Sequence, residues 1–369
     1  TGSPAAIALA KYWIQNCIQN HSSCSRPNVQ QYSPTRLIDL HDERIKLVHD
    51  PTLCADYVAL SHRWGSEELP TTVSTNYERR LREMAPEELT QTMRDAMAFT
   101  RHLGYNYLWI DALCIVQDSE EDWLREAAKM SDVFSGAIVT IAVADAENHS
   151  EGMFRPRPAR CMRPFAIPYI EQTSYCERVH LDGEGEFCIF PNTEHVSAGT
   201  RRKGALDTRG WILQEQILSR RILYFGRGEL FWDCNTLSAS ESSPISTSLL
   251  DEETPDETWA LQVIRRTLSA TANPKTLRQR LSDIWIQVIR NYSSRQLSHQ
   301  RDRLVALQGI LHPLAKILQE EPVAGMWRTQ LWWQLIWWTP MPGPIDSETP
   351  TEMVFPAPSW SWLASRGPV

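Results

Sequence analysis

Residues 57–144 carry the pattern that most constrains the fold of this chain. The strand-like run YVALS (57–61) is followed by a helical stripe, the short β-rich run YLWI (107–110), a second helical stripe and the apolar run IVTIAVA (138–144). Alternation of this kind is typical of right-handed crossovers that place parallel strands side by side under helices on both faces. We therefore predict an α/β core built on a parallel sheet.

Start and stop signals delimit the two helices of this core. The first is predicted to begin at Pro86 and to end at Gly104, with Leu89, Met93, Met97 and Thr100 on one stripe. The second is predicted to begin after Ser119 as N-cap and to run to Gly136, with a stripe of Trp123, Ala127, Met130 and Phe134. Both helices are therefore amphipathic and suited to packing on a sheet.

The sequence as a whole predicts four regions. These are an N-terminal helical and extended arm (1–50), the main domain with its α/β core at 57–145 and β-rich insertions (51–240), a flexible loop (241–258), and a helical, Trp- and Pro-rich C-terminal part packed on the core (259–369).

Composition narrows the class of protein. The net charge is −8 with no basic block, which argues against nucleic-acid binding. The longest apolar run, LWWQLIWW (331–338), is far shorter than the roughly 20 residues of a membrane-spanning helix. The first residues, TGSPAAIALA, lack the basic and apolar regions of a signal peptide, and the eight cysteines contain no C-x-x-C pair. We therefore expect a cytoplasmic protein with reduced cysteines and no membrane span.

Polar side chains follow the first two strands of the predicted sheet. Ligands of open parallel sheets bind at the carboxyl ends of the strands, where Ser61, His62 and Arg63 follow one strand and Asp111 to Cys114 follow the next. Glu120, Glu121 and Asp122 open the next helix, either as catalytic carboxylates or as ordinary complements of the helix dipole. Cys114 beside His62 would suggest a thiol nucleophile, but a cysteine within ALCIV is more typical of an inert core.

Two further groups of residues have both a structural and a functional interpretation. Cys17, His21 and Cys24 could supply three zinc ligands; because no fourth ligand is evident, packing is favoured and no metal is assigned. In RGWILQEQ, Arg209, Trp211 and Glu215 form either a substrate clamp or a buried ion pair beside a ring.

Kinase, dinucleotide-fold, esterase and metalloprotease motifs are absent from the sequence, which disfavours those enzyme classes.

Taken together, six segments resemble one family in its own order. YVALSHRWG (57–65), LWIDALCIVQDSEEDWLREAAKMSDVFSGA (108–137) and RGWILQEQILSRRILYF (209–225) resemble the three blocks of the fungal heterokaryon-incompatibility (HET) domain. The cysteine segment with PTRLIDL (34–40), YSSRQLSHQRDRLVALQGIL (292–311) and APSWSWLASRGPV (357–369) resemble the flanking parts of its longer members.

This resemblance implies a protein of fungal nonself recognition and programmed cell death. HET domains are regarded as distant relatives of TIR domains, which implies a TIR-like or flavodoxin-like sheet in three α/β/α layers. Several TIR domains hydrolyse NAD, so NAD is expected as a substrate and no resident cofactor is expected. By position the resemblance implies Glu121 as the catalytic carboxylate and Ser61, His62 and Arg63 as one wall of the pocket. Together with the candidates found above, we expect catalytic roles for Glu121, Asp111 and His62. We expect substrate binding by Ser61, Arg63, Trp64, Gly65, Trp109, Cys114, Arg209, Trp211 and Glu215.

Two other functions are compatible with the same sequence. One is a secondary-metabolite enzyme that acts on an apolar metabolite in an aromatic-lined pocket. The other is a non-catalytic signalling module that forms homo-oligomers through sheet edges or Trp-rich surfaces. Arg63 likewise has two interpretations, as a donor to an anionic ligand or as an internal partner of Asp111.

Overall fold

The computed structural model describes the following parts of the chain: residues 1–25, 32–50, 52–65, 69–155, the strands 165–169 and 185–189 by their backbone, and residues 204–226, 228–245, 257–269, 274–297, 300, 302–339, 357–365 and 367–369.

The elements of these residues are best given in chain order. The strands are β1 (Leu37–Asp39), β2 (Lys46–Val48), β3 (Val58–Ser61), β4 (Tyr107–Trp109), β5 (Val139–Val143), β6 (Phe165–Tyr169), β7 (Gly185–Ile189), β8 (Arg221–Phe225), β9 (Leu230–Cys234), β10 (Ser238–Ser240), β11 (Pro322–Val323) and β12 (Met326–Trp327). The helices are α1 (Pro4–Asn20), α2 (Tyr77–Arg80), α3 (Gln91–Leu103), α4 (Asp111–Cys114), α5 (Glu120–Ala127), α6 (Met130–Gly136), α7 (Trp211–Leu218), α8 (Glu257–Leu268), α9 (Pro274–Gln279), α10 (Leu281–Ser293), α11 (Asp302–Leu318) and α12 (Leu331–Gln334).

An eight-stranded sheet forms the centre of the fold. Its strand order is β10-β9-β8-β5-β3-β4-β1-β2. The four central strands are parallel: β3 pairs with β4 and β5, and β5 pairs with β8. The flanking strands are antiparallel to their neighbours on both sides. The mixed α/β class and its parallel centre are therefore confirmed.

Helices pack on both faces of the sheet. On the face that carries Leu60, α3 contributes Phe99, whose ring meets Phe225 of β8 edge-on. On the same face, Trp13 of α1 stacks on Trp232 of β9. On the opposite face, Phe134 of α6 meets Trp109 of β4. The buried positions of β3, β5 and β8 are consequently enclosed on two sides, which explains their nearly continuous apolar sequences.

The helix boundaries differ from the predicted ones at two places. Pro86 begins a short 3-10 turn, and α3 begins only after Thr90, whose hydroxyl accepts a hydrogen bond from the backbone N–H of Met93 at 3.2 Å. The predicted helix from Ser119 to Gly136 is two helices. At Lys129 the backbone N–H bonds to Glu126, three residues back, and this tighter turn separates α5 from α6.

A second apolar core unites the C-terminal helices. It is built around the buried indoles of Trp285, Trp327 and Trp362, and it reaches the main domain through Leu213 and Ile217 of α7. The helix α7 therefore contacts both cores and fixes the residues at its N-terminal end between them. Of the predicted loop 241–258, only residues 241–245 and 257–258 fall within the described ranges. Within the described residues, no helix combines the length and the apolar character needed to cross a bilayer.

Candidate functional site

A cavity of about 640 Å³ lies at the carboxyl ends of β3 and β4. Its volume falls within the range of roughly 300–1,000 Å³ that is usual for small-molecule sites. Both main-domain and C-terminal residues line it: Arg63, Trp64, Gly65, Asp111, Ile115, Gln117, Asp118, Ser119, Glu120, Trp123, Ala127, Met130, Thr208, Arg209, Trp211, Glu215, Gln296, Leu297 and Asp302. The wall thus combines indoles, guanidinium groups and carboxylates.

Asp111 joins the two strand ends at the edge of the cavity. Its Oδ2 accepts a hydrogen bond of 2.9 Å from the indole Nε1 of Trp64, and its Oδ1 accepts one of 2.8 Å from the backbone N–H of Ala112. The Nδ1 of His62 lies 4.0 Å from Oδ1. Among the described residues Arg63 makes no ion pair with Asp111, so the proposed internal pairing of these two residues is not observed.

His62 lies behind this wall rather than in it. The side chain is buried, and burial lowers the pKa of its imidazole to about 4; the nearby Asp111 opposes this shift and Arg209 reinforces it. The imidazole is therefore neutral at physiological pH. Within the described part of the chain neither ring nitrogen has a hydrogen-bond partner. Its nearness to the carboxylate makes His62 part of the electrostatic environment of the site.

Arg209, in the segment before α7, lines the cavity. Its Nη1 donates to the backbone carbonyl of His62, and its guanidinium carbon lies 5.7 Å from the centre of the Trp64 ring. A guanidinium held over an indole gains a cation–π attraction and retains further N–H groups that can act as donors. Arg209 therefore connects the strand end at residues 62–64 to α7.

Glu215 supplies a buried carboxyl group in the cavity wall. It lies on α7, and burial raises its pKa to about 7, while the Arg209 guanidinium and the Ser61 hydroxyl act in the opposite direction. A carboxyl group with this pKa exchanges its proton near neutral pH. Such a shift is typical of groups that take part in proton transfer at functional sites.

The start of α5 divides its three acidic residues among different environments. Ser119 caps the helix as predicted, accepting from the backbone N–H of Asp122 at 3.2 Å, and Glu120 lines the cavity. Asp122 is buried and pairs with Arg36 and Arg125. Burial alone would raise the pKa of Asp122, but hydrogen bonds from the Val116 backbone and from Arg36 lower it below its usual value. Asp122 is therefore an ionised carboxylate that stabilises the fold through its buried ion pairs.

Glu121, the expected catalytic carboxylate, does not line this cavity. Its side chain is 93 % exposed and lies 3.9 Å from Arg125 on the outer face of α5. The reason is geometric: residues 120 and 121 are successive in a helix and so point about 100° apart. Its catalytic role stays a prediction.

Three of the expected substrate-binding residues lie in or beside the core. Trp109 is only 1 % exposed, and its ring meets Phe134. Cys114 is buried, and burial raises the pKa of its thiol to about 12, so it is un-ionised at neutral pH. Ser61 is buried beside Glu215. The structure brings the other six, Arg63, Trp64, Gly65, Arg209, Trp211 and Glu215, to one cavity, together with Asp111, which was expected as a catalytic residue.

Sequence reasoning missed several residues of the cavity wall. The sequence places Trp123 in an apolar stripe, whereas in the structure its ring also meets Trp211 edge-on at 6.5 Å between ring centres. Gln296 and Asp302 come from the segment 292–311, where the backbone N–H of Gly210 bonds to the Gln296 carbonyl at 2.8 Å. The signal available for these residues was their place within a segment that resembles the family.

The geometry defines an α/β domain with a ligand-sized cavity at the carboxyl edge of its parallel strands. Residues 57–215 match the family model described as heterokaryon incompatibility protein (HET), so this part of the chain is similar to that family. The match begins at the strand run before Arg63 and ends at Glu215, so it contains most of the cavity wall. No curated protein and no solved structure matches the chain.

Proposed function

We propose that this chain is a HET-domain protein of fungal nonself recognition and programmed cell death whose cavity binds NAD and hydrolyses the bond between ribose and nicotinamide. The observation that carries the proposal is the position of Glu215. A buried carboxyl group with a pKa of about 7 lies in one cavity with Arg209 and with the indoles of Trp64 and Trp211.

The order of the parallel strands supports a TIR-like, three-layer architecture for the domain. Along the sheet these strands run β4-β3-β5-β8. Numbered among themselves in chain order, they give 2-1-3-4, the order of flavodoxin-like sheets. Ligands of such sheets bind outside the carboxyl ends of the strands, which is where Arg63 and Asp111 lie.

The charges of the cavity suit a ligand that carries both signs. Arg63 and Arg209 offer guanidinium donors of the kind that bind phosphate oxygens. The carboxylates of Asp111 and Glu120 favour a cation, and the pyridinium ring of NAD is one. The indole of Trp211 provides a face on which a planar base can stack.

The proposed reaction balances with water as the only co-reactant. The C1′–N bond breaks, the bonding electrons leave with neutral nicotinamide, and the ribose carbon becomes an oxocarbenium-like cation. The ionised carboxylate of Glu215 stabilises this cation, and water then adds to C1′ and releases a proton. Nicotinamide needs no general acid, because the departing ring nitrogen gains neutrality on cleavage. The products are ADP-ribose, nicotinamide and H⁺.

Comparison of two glutamates tests this assignment. Purified protein is incubated with NAD, and nicotinamide release is followed by liquid chromatography. Glu215→Gln is expected to lower turnover roughly 100-fold or more, as loss of a transition-state electrostatic contact does. The proposal gives the role of catalytic carboxylate to Glu215 in place of Glu121, so Glu121→Gln, on the exposed side of α5, is the matched control and is expected to retain turnover. Equal loss in both variants, loss only in Glu121→Gln, or no turnover in the wild type would contradict the proposal.

An exposed apolar surface favours oligomerisation as a second candidate function. Trp332, Ile336 and Trp338 are each more than 70 % exposed, and Leu335 lies beside them in sequence. Exposed apolar patches of this kind are typical of protein–protein contacts. A concentration-dependent increase in mass by light scattering, lost in a Trp332→Ser/Trp338→Ser variant, would support it. A monomer at all concentrations would exclude it.

A further inference from the structure

Four side chains with metal-ligating atoms meet where the N-terminal helix reaches the sheet. They are Cys17, His21, Cys24 and Cys234, and their ligand atoms all lie within 4.8 Å of one another. The three cysteines are free thiols and are buried. This cluster is remote in sequence from the cavity residues, and the proposed hydrolysis does not use it.

Local structure brings the first three ligands together. Cys17 and His21 are four residues apart at the end of α1, so they share one face of the helix. The backbone N–H of His21 bonds to the carbonyl of Cys17 at 3.2 Å, and a 3-10 turn over Ser22–Cys24 then folds Cys24 back toward them. The spacing C-x3-H-x2-C therefore produces a compact half-site.

The fourth ligand comes from the sheet. Cys234 is the last residue of β9, and its Sγ lies 3.5 Å from the Nδ1 of His21. In a tetrahedral zinc site with Zn–S of about 2.3 Å and Zn–N of about 2.0 Å, neighbouring ligand atoms are separated by roughly 3.5–3.8 Å. The separation of these two atoms therefore already fits a shared ion.

The surroundings of the cluster suit a site with excess negative charge. The Nε of buried Arg221 lies 3.1 Å from the Sγ of Cys17, and its Nη2 donates to the carbonyl of Cys24 at 2.9 Å. Among the described residues Arg221 has no carboxylate partner, although a buried guanidinium normally requires an anion. The backbone N–H of Leu237 also points to the Sγ of Cys234 at 3.3 Å.

We propose that Cys17, His21, Cys24 and Cys234 form a structural Zn²⁺ site. Three thiolates and a neutral imidazole around Zn²⁺ carry a net charge of −1, which Arg221 neutralises. Four protein ligands close the coordination shell, as in structural rather than catalytic zinc sites. The ion would fasten the end of α1 to the end of β9 and so attach the N-terminal arm to the sheet. None of the four proposed ligands is among the residues that line the cavity at the carboxyl ends of β3 and β4.

Metal analysis of the purified full chain tests the proposal. The protein is produced with zinc in the medium, purified without a metal-affinity tag, and analysed by inductively coupled plasma mass spectrometry. We expect about one zinc per chain in the wild type and in Cys54→Ser, because Cys54 is exposed and outside the cluster. Cys234→Ser is expected to lose the zinc. Metal-free wild-type protein, or full zinc retention in Cys234→Ser, would overturn the site.

Cobalt substitution identifies the ligands without relying on a core variant that could fail to fold. Co²⁺ bound to the metal-free wild type is expected to show intense thiolate-to-metal absorption and the visible bands of tetrahedral coordination. His21→Asn, at a half-buried position, is expected to shift those bands and weaken binding. Absence of thiolate absorption, or a disulfide between any two of these cysteines under non-reducing mass spectrometry, would refute it. Neither readout depends on NAD turnover.

Discussion

The indole Nε1 of Trp64 donates a hydrogen bond of 2.9 Å to the Oδ2 of Asp111. This contact ties the loop after β3 to the start of α4 after β4, so that two neighbouring parallel strands present their ends as one surface. The same indole lies under the guanidinium of Arg209. One aromatic side chain thus holds an acidic and a basic residue of the cavity in place.

Trp64→Phe is expected to destabilise the fold by about 1–2 kcal/mol, because it keeps a ring under Arg209 but removes a hydrogen bond to a charged acceptor. Urea denaturation followed by circular dichroism measures the change. Trp332→Phe is the control, since that indole is 76 % exposed, and its effect should be near zero. Equal stability of the two variants would show that the contact contributes nothing.

The pH dependence of NAD hydrolysis should reflect Glu215. Its pKa is about 7, and the proposed mechanism needs the ionised carboxylate. kcat/KM is therefore expected to rise with pH and to level off above a midpoint near 7. A rate measured from pH 5 to 9 with free nicotinamide as the readout gives the midpoint. A profile that falls with pH would instead require the protonated carboxyl group.

Glu215 should also make the fold less stable as the pH rises. Its folded pKa lies above the ordinary value of 4.5, so its stabilising contribution is fully present below about pH 4.5 and is lost as the pH rises through about 7. Glu215→Gln removes this titration. The melting temperature of Glu215→Gln, relative to that of the wild type, should therefore be higher at pH 8 than at pH 5. The same difference in melting temperature at both pH values would contradict the assignment.

Buried His62 should produce the opposite pH dependence. Its folded pKa of about 4 lies below the ordinary value of 6.5, so its contribution is fully present above about pH 6.5 and is lost as the pH falls toward 4. The shift corresponds to about 3 kcal/mol between these limits. His62→Asn is expected to flatten the acid side of the stability curve measured by urea denaturation. An unchanged acid side would show that His62 is not the responsible group.

The ion pair between Arg36 and Asp122 should matter far more than a surface pair of similar geometry. Both side chains are almost fully buried, so Asp122→Asn leaves a buried guanidinium without its charge partner and is expected to cost about 3–5 kcal/mol. Glu88→Gln breaks the solvent-exposed pair with Arg79 and should cost less than about 1 kcal/mol. Chemical denaturation of both variants gives the comparison, and similar values would refute the difference.

The central strands were predictable because their residues are buried on both faces. YVALS and IVTIAVA need to be continuously apolar in any such sheet, and Gly104 ends α3 in a left-handed conformation (φ 95°) that its sequence position had indicated. Local signals of this kind act over a few residues. They therefore specify strands, caps and helix ends without knowledge of distant partners.

Contacts between residues far apart in the sequence explain what local patterns could not predict about the cysteine–histidine cluster and the cavity. The sequence spacing indicates three of the metal-ligating side chains, Cys17, His21 and Cys24. Cys234 approaches them only because β9 lies beside α1. In the same way, the amino-acid sequence does not distinguish Glu120 from Glu121, because both are glutamates in the first turn of the same helix. The packing of α5 directs one into the cavity and the other into solvent.

By itself, the sequence determined the α/β class, the Ser119 cap, the end of α3 at Gly104 and the strand end where Ser61, His62 and Arg63 stand together. The tertiary structure decided which of these residues share a cavity: it buried His62 behind the wall, placed Arg209 over Trp64 and placed Glu215 of α7 beside Ser61. The physical reason is that hydrogen bonding and periodicity are local properties of the chain. Burial and charge coupling, which set the pKa of Glu215, arise only when remote segments pack together.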